Sequence, residues 1–162
     1  MAVRIETGDF DIGAEIRKLT SGRTDIGAVV TFTGTVRGDA DGDTIASMTL
    51  EHYPGMTEAE LLRIEAEANR RWPLEASLVV HRIGELHPGD NIVLVITASA
   101  HRQAAFEAAA FLMDYLKTRA PFWKKETRPD GTGSWVDARD ADDDALSRWT
   151  GPLTPQTNKA AE

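Results

Sequence analysis

The chain contains no cysteine. This absence excludes disulfides, thiolate metal ligands and any catalytic or persulfide-carrying thiol on the chain itself. If the protein takes part in sulfur chemistry, the sulfur must therefore arrive on another molecule.

Long apolar runs are also missing. No stretch approaches the roughly 20 apolar residues of a membrane-spanning helix, and residues 1–10 lack the apolar centre of a signal peptide. These two absences lead us to expect a cytoplasmic protein.

Positive charge is scarce, since 18 Lys and Arg stand against 26 Asp and Glu for a formal net charge of −8. Phosphate contacts dominate nucleic-acid affinity, so this balance argues against a nucleic-acid binder. With 162 residues, 41% hydrophobic and 27% charged, the chain is typical of one soluble domain. We predict that this domain spans residues 1–149 and that residues 150–162 form a disordered C-terminal tail.

Hydrophobic periodicity and turn residues predict alternating strands and helices. The predicted strands cover residues 3–6, 26–37, 44–53, 76–83, 91–98, 122–127 and 134–138. The strands 76–83 and 91–98 should form a hairpin through the Pro-Gly turn at 87–90. The predicted helices run from Asp9 or Asp11 to 19, from a Thr57–Glu60 capping box to 72, from 100 to 118, and from 140 to 149. This order favours one α+β domain, with a mixed or antiparallel sheet and a long helix packed on it.

The scarce positive charge is concentrated in one stretch, which holds Lys117, Arg119, Lys124, Lys125 and Arg128. Pro121 cannot continue a helix, so the helix carrying Lys117 should end there and a strand should follow. The corner can turn Lys117 and Lys124 toward one cavity that binds an anion. The alternative is a solvated basic face, with Lys117 balancing the helix dipole.

His101 and Arg102 open the long helix, where unpaired backbone N–H groups suit a phosphate. A rise of 1.5 Å per residue places His101 about 24 Å from Lys117. The two cannot contact one small ligand within a single chain. Either they serve different sites, or a two-fold dimer brings one copy's helix start beside the other copy's helix end.

Metal chemistry finds little support in the sequence. His52, His81, His87 and His101 are scattered without the spacing of metal ligands. The acidic loop at 38–43 has calcium-like Asp spacing but lacks the downstream glutamate of such loops, and we expect it to be flexible.

Several motifs, read together and in order, closely resemble the large, catalytic subunit of molybdopterin synthase, the MoaE family. The resemblance covers roughly residues 3–149. The motifs that carry it are GAVVTFTGTVR (27–37), LEHYPGM (50–56), HRIGELHPGD (81–90), SAHR (99–102), AFEA (105–108), DYLKTRAPFWKKE (114–126) and WV (135–136). Their combination is specific, whereas each motif alone is weak.

The resemblance implies an α/β hammerhead fold and a sulfurtransferase of molybdenum cofactor biosynthesis, with no cofactor of its own. It implies a homodimer that binds two small ubiquitin-like subunits, giving a 2+2 heterotetramer. Each small subunit ends in a Gly-Gly thiocarboxylate, from which sulfur passes to cyclic pyranopterin monophosphate and forms the dithiolene of molybdopterin.

The resemblance also implies the site residues. Lys117 and Lys124 match the catalytic lysines, and the substrate-contacting segments match Thr35, Val36, Arg37, His101, Arg102, Lys117, Lys124, Lys125 and Glu126. The position of Lys117 beside Phe106 and Met113 on the helical wheel suggests partial desolvation, so we favour it as base or nucleophile, with Lys124 charged. We further expect the peptide channel to run beside residues 122–126, with Phe32 and Met113 in its wall.

A rival interpretation uses the same cations without catalysis. The protein would then be a module that docks a ubiquitin-like partner or senses a phosphorylated ligand.

Overall fold

The computed structural model describes residues 2–136 and 140–150 of the chain. Predicted features at residue 138 and at residues 151–162 lie outside these ranges. The elements are, in order, β1 (Ala2–Glu6), α1 (Ile12–Thr20), β2 (Ala28–Thr35), β3 (Asp39–Ala40), β4 (Asp43–Thr44), β5 (Ser47–His52), α2 (Met56–Arg71), β6 (Leu74–Arg82), β7 (Gly84–Leu86), β8 (Asn91–Ser99), α3 (Arg102–Thr118), β9 (Phe122–Thr127), β10 (Gly133–Val136) and α4 (Asp140–Ser147). Across the described ranges, no helix has both the length and the apolar character to cross a bilayer.

The larger sheet has the strand order β1-β6-β8-β2, with β1 parallel to β6 and the other pairs antiparallel. Residues 87–90 form the tight turn before β8: the amide of Asp90 donates to the carbonyl of His87 at 2.9 Å, and Gly89 has a φ of 91°. A glycine in this left-handed region, after a proline, is the signature of a type II turn. The predicted antiparallel pairing of β6 with β8 is confirmed, although the short strand β7 lies between β6 and this turn.

Both faces of the larger sheet are covered, which explains the continuous apolar runs of β6 and β8. One face packs against α2 and α3, and the other packs against α1. The predicted stripe of α3 is buried as expected, at Ala105, Ala109, Leu112 and Leu116. The mixed sheet with a long helix packed on it is therefore confirmed.

A second sheet, with the order β10-β9-β5-β7, is antiparallel throughout. The chain leaves the larger sheet after Arg82 and enters the second at Gly84, whose φ of 87° suits only glycine well. Met48, Leu50 and Leu86 of this sheet pack with Val36 in a separate small core. The sequence did not predict that the strands divide between two sheets.

Two local predictions were wrong. The helix α2 is capped by Gly55, whose amide donates a hydrogen bond to the Glu58 carboxylate at 2.7 Å, so no Thr57–Glu60 box forms. The acidic loop expected to be flexible instead forms the short β3–β4 hairpin, turned at Asp41 (φ 53°) and Gly42 (φ 87°). Asp-Gly is the residue pair that two-residue hairpin turns favour, and this explains the difference.

Candidate active site

The corner between α3 and β9 is held by backbone and side-chain hydrogen bonds. The amide of Arg119 donates to Tyr115 at 2.8 Å and ends the helix, and the amide of Phe122 donates to Ala120 at 2.9 Å. The carbonyl of Pro121 accepts a hydrogen bond from the hydroxyl of Thr57 at 3.0 Å. The proline corner predicted from the sequence therefore exists, and it separates two basic residues by a fixed turn.

A cavity of about 430 Å³ lies beside this corner. Its polar lining includes three cations, Arg37, Lys117 and Lys124, together with Thr35 and Glu126. Its apolar lining comes mainly from β5 and the ends of α3 and β9, at Ile45, Met48, Leu50, Ile92, Leu116, Ala120, Phe122 and Val136. The structure thus brings both predicted catalytic lysines to one cavity.

Strand alternation decides which residues of β9 reach the cavity. Phe122, Lys124 and Glu126 line it. Lys125 is absent from the lining and instead lies over the Trp135 ring, 6.0 Å from the ring centroid. Of the predicted segment 124–126, Lys124 and Glu126 therefore line the cavity and Lys125 does not.

Alternate residues at the end of β2 and just after it, Thr35 and Arg37, also line the cavity. A register shift between Gly34 and Thr35 marks a bulge, after which the amide of Val36 donates to Asp90 at 2.9 Å. Bulges re-aim the side chains that follow them. Thr35 and Arg37 accordingly line the cavity, while Val36 is buried in the small core.

Four residues that were predicted to belong to the site lie outside the cavity lining in the single chain. His101 and Arg102 are exposed at the start of α3, far along the helix from Lys117, as the helix geometry required. Phe32 is 40% exposed on β2 and Met113 packs against the main core; neither is among the residues that line the cavity. The expected wall position of these two residues is not seen in the single chain.

The burial of the two lysines reverses the sequence-based expectation. Lys117 is exposed, whereas the Lys124 side chain is 33% exposed and lies 3.9 Å from the Glu126 carboxylate. The partial desolvation expected at Lys117 is therefore wrong for the isolated chain. Lys124 pairs with Glu126, and its role as the charged lysine stays a prediction.

Sequence reasoning missed three polar lining residues: His81, Asp39 and Asp142. The two aspartates come from the β3–β4 hairpin and from α4, to which no function was assigned. Helix α4 packs on α3, where the indole N–H of Trp149 donates to Asp114 at 2.6 Å. Only the tertiary fold brings these segments to the cavity, and their sequence offered no signal beyond negative charge.

His81 is buried in the cavity wall, with 9% of its surface exposed. Burial lowers the pKa of its imidazole to about 4, and the nearby charges of Lys117 and His52 lower it further. Its ring stacks on Phe122 with centroids 3.8 Å apart. A signal was present in the sequence, because His81 opens the HRIG motif, but the motif did not reveal this burial.

The family model described as "MoaE protein" matches residues 5–119. The chain belongs to the MoaE family. Among curated relatives, the molybdopterin synthase catalytic subunit of Mesorhizobium japonicum is 62% identical over 148 residues, covering 91% of this chain and 92% of that protein. The sequence-based resemblance is thereby confirmed.

Solved structures agree with this membership. The MoaE protein from Burkholderia ambifaria is 54% identical with a TM-score of 0.79, covering 94% of this chain and all (100%) of that chain. A complex of subunits 1 and 2 of the molybdopterin-converting factor from Helicobacter pylori contains a chain with a TM-score of 0.68 at 18% identity, covering 85% of this chain and 90% of that one. The second likeness shows the fold alone.

Proposed function

We propose that this chain is the catalytic subunit of a molybdopterin synthase. It transfers sulfur from the C-terminal thiocarboxylate of a small ubiquitin-like subunit to cyclic pyranopterin monophosphate and so forms the molybdopterin dithiolene. The observation that carries this proposal is the meeting of Lys117, Lys124 and Arg37 at one cavity, in a chain of this family.

The charges of the cavity fit an anionic substrate. Arg37 can hold a phosphate through two parallel hydrogen bonds, and lysine ammonium groups stabilise negative charge that develops during reaction. Glu126, beside Lys124, limits the net positive charge and keeps that ammonium in place. The site therefore combines groups that bind an anion with two lysines that line the same cavity.

We assign the reacting amine to Lys117 and the charged role to Lys124. An amine can remove a proton or attack the acyl carbon of a thiocarboxylate once it has lost its own proton. Lys117 is exposed in the single chain, so its desolvation requires that the tail of the small subunit close the cavity over it. Lys124, paired with Glu126, binds the phosphate or the thiocarboxylate oxygen.

Because the chain has no cysteine, the sulfur must arrive on another molecule, and we propose that this molecule is a partner subunit. A chain of the same fold, from the Helicobacter pylori molybdopterin-converting factor, was solved in a complex with a second subunit, so this fold is compatible with such a partner. An extended Gly-Gly tail is thin enough to enter a cavity of about 430 Å³ and to run beside a strand such as β9. We propose a 2+2 assembly, in which each cavity receives one tail.

His101 and Arg102 complete the site in this proposal, but from the second copy of the chain. Both are exposed at the start of α3 and outside the cavity. A two-fold dimer that places this helix start beside the partner's Lys117 would supply a phosphate site with free backbone N–H groups.

A reconstitution experiment tests the proposal. The protein is incubated with a thiocarboxylated small subunit and cyclic pyranopterin monophosphate, and dithiolene product is measured. We expect product that depends on the thiocarboxylate and that is lost when a small subunit ending in an ordinary carboxylate is used. Binding of both molecules without any product would instead favour a docking module.

A further inference from the structure

His81 has one ring nitrogen engaged and one free. Its Nδ1 lies 2.8 Å from the backbone carbonyl oxygen of Arg82. A carbonyl oxygen only accepts hydrogen bonds, so Nδ1 carries the proton and donates it. In the neutral ring, Nε2 is then an acceptor with an unused lone pair.

The ring stays neutral because it is buried in the wall of the cavity. Burial disfavours the charged imidazolium and lowers the pKa of His81 to about 4, and the charge of Lys117 acts in the same direction. At neutral pH the ring therefore presents an uncharged acceptor.

The orientation of the ring is fixed from two sides. The hydrogen bond to Arg82 fixes one edge, and the Phe122 ring stacks on one face at 3.8 Å with an interplanar angle of 14°. Rigid placement of this kind lowers the entropic cost of binding a ligand.

Nε2 of His81 is unengaged and not completely buried. It has no hydrogen-bond partner in the described part of the chain. It is also not sealed off, because the only buried and unpartnered side-chain nitrogen or oxygen among the described residues is Nε of Arg4. Since His81 lines the cavity, the free nitrogen is available to whatever binds there.

The charged groups of the cavity offer no uncharged acceptor. Arg37 and the ammonium groups of Lys117 and Lys124 only donate hydrogen bonds, and the carboxylates of Asp39, Glu126 and Asp142 repel an anionic substrate. The hydroxyl of Thr35 can accept a hydrogen bond, but Thr35 is exposed and its O–H can also donate. An anion that also carries N–H groups is better bound by an uncharged acceptor. His81 is the buried residue in the described lining that provides one.

We propose that Nε2 of His81 accepts a hydrogen bond from an N–H group of a substrate bound in the cavity. This inference rests on the proposed function. Both substrates carry such groups, since a reduced pterin ring has N–H groups at its edge and a Gly-Gly tail has backbone amides. The shared chemistry is an uncharged N–H donor, and the experiment below separates the two sources.

Steady-state kinetics of His81→Phe, with each substrate varied in turn, provide the first test. Phenylalanine keeps the stacking ring but has no acceptor, so the KM of the substrate that donates to His81 should rise about 5- to 100-fold. The variant His81→Gln, which restores an acceptor and a donor, should recover part of that loss. An unchanged KM for both substrates, or a fall in kcat alone, would overturn the inference.

The wild-type protein provides a second test that does not depend on a variant folding. Nitrogen NMR of ¹⁵N-histidine protein is recorded with cyclic pyranopterin monophosphate alone and with a small subunit ending in a Gly-Gly carboxylate alone. The Nε2 resonance of His81 should move upfield with the substrate that donates to it. If neither molecule moves it, the inference fails.

A matched control is His87→Gln. His87 is exposed in the turn before β8 and pairs with Glu85 at 3.2 Å. This variant should leave both KM values unchanged. The wild-type protein is assayed in the same experiment. Absence of product from the wild type would refute the proposed function. Normal wild-type turnover with unaffected His81 variants would refute only the role of His81.

Discussion

The hydroxyl of Thr57 donates a 3.0 Å hydrogen bond to the carbonyl oxygen of Pro121, which lies 64 residues further along the chain. The same hydroxyl accepts a 2.9 Å hydrogen bond from the amide of Tyr53, and Thr57 is fully buried. One side chain at the start of α2 thus fixes the corner that separates Lys117 from Lys124.

We expect Thr57→Val to lower the free energy of unfolding by about 1 to 2 kcal/mol, because the part-buried amide of Tyr53 and carbonyl of Pro121 both lose the hydroxyl as a partner. It should also reduce kcat at temperatures where the variant is folded, since the spacing of the two lysines is no longer fixed. Denaturant unfolding and the reconstituted assay measure the two effects. Thr57→Ser keeps the hydroxyl and serves as the control; equal stability of the Val and Ser variants would show that the corner does not need this bond.

Lys117→Arg keeps the positive charge at the cavity but supplies a group that does not readily lose its proton. If the Lys117 amine acts as base or nucleophile, we expect kcat to fall about 100-fold or more. Single-turnover assays with preloaded small subunit measure this step. Lys18→Arg, on the outer side of α1 with 69% of its side chain exposed, is the control for a lysine-to-arginine change. Near-normal turnover of Lys117→Arg would show that Lys117 acts only through its charge.

Mixing two inactive proteins tests whether the site is shared between copies. In a dimer of Lys117→Ala with Arg102→Ala, one of the two sites would combine an intact Lys117 with an intact Arg102. Random exchange of subunits should then restore about a quarter of wild-type activity. The dithiolene assay before and after subunit exchange gives the measurement. No recovery, in a sample that mass spectrometry shows to contain mixed dimers, would place the complete site within one chain.

The pKa of His81 predicts a specific pH dependence of stability. The pKa is about 4 in the folded chain and 6.5 for an ordinary histidine, so the unfolded chain binds the extra proton between these values. The contribution of the neutral His81 ring to the free energy of unfolding is therefore fully present above pH 6.5. It is lost as the pH falls toward 4, by about 3 kcal/mol in total. Unfolding experiments across this range should show the slope in the wild type and a smaller slope in His81→Phe. Identical slopes would mean that His81 is not neutral and buried as described.

Most local structure could be predicted from the sequence. The strand at Phe122–Thr127 and the helix ending at Thr118 have the bounds that Pro121 and the apolar periodicity indicated. The turn at 87–90 followed from its proline and glycine. Such features depend on neighbouring residues, which is why a linear pattern reveals them. The N-terminus of α2 was less predictable, because glycine and threonine are both residue types that can cap a helix. In the structure the Thr57 hydroxyl is bonded to the carbonyl of Pro121, and Gly55 takes the capping position.

The site was predictable only in part. Lys117, Lys124, Arg37 and Glu126 were identified from charge, the proline corner and family motifs, and the fold places all four at one cavity. Their neighbours Asp39, Asp142 and His81 come from three distant segments, so no spacing along the chain connects them to the lysines.

The family, the order of the longer helices and strands, the absence of any thiol and the basic residues around Pro121 could all be read from the linear chain. Folding was needed to reveal that the strands divide into two sheets, that Lys125 turns away while Lys124 lines the cavity, and that a buried histidine lies in its wall. Periodicity and turn chemistry act over a few residues, whereas sheet order, burial and the electrostatics of a cavity depend on contacts between segments that are far apart in the chain.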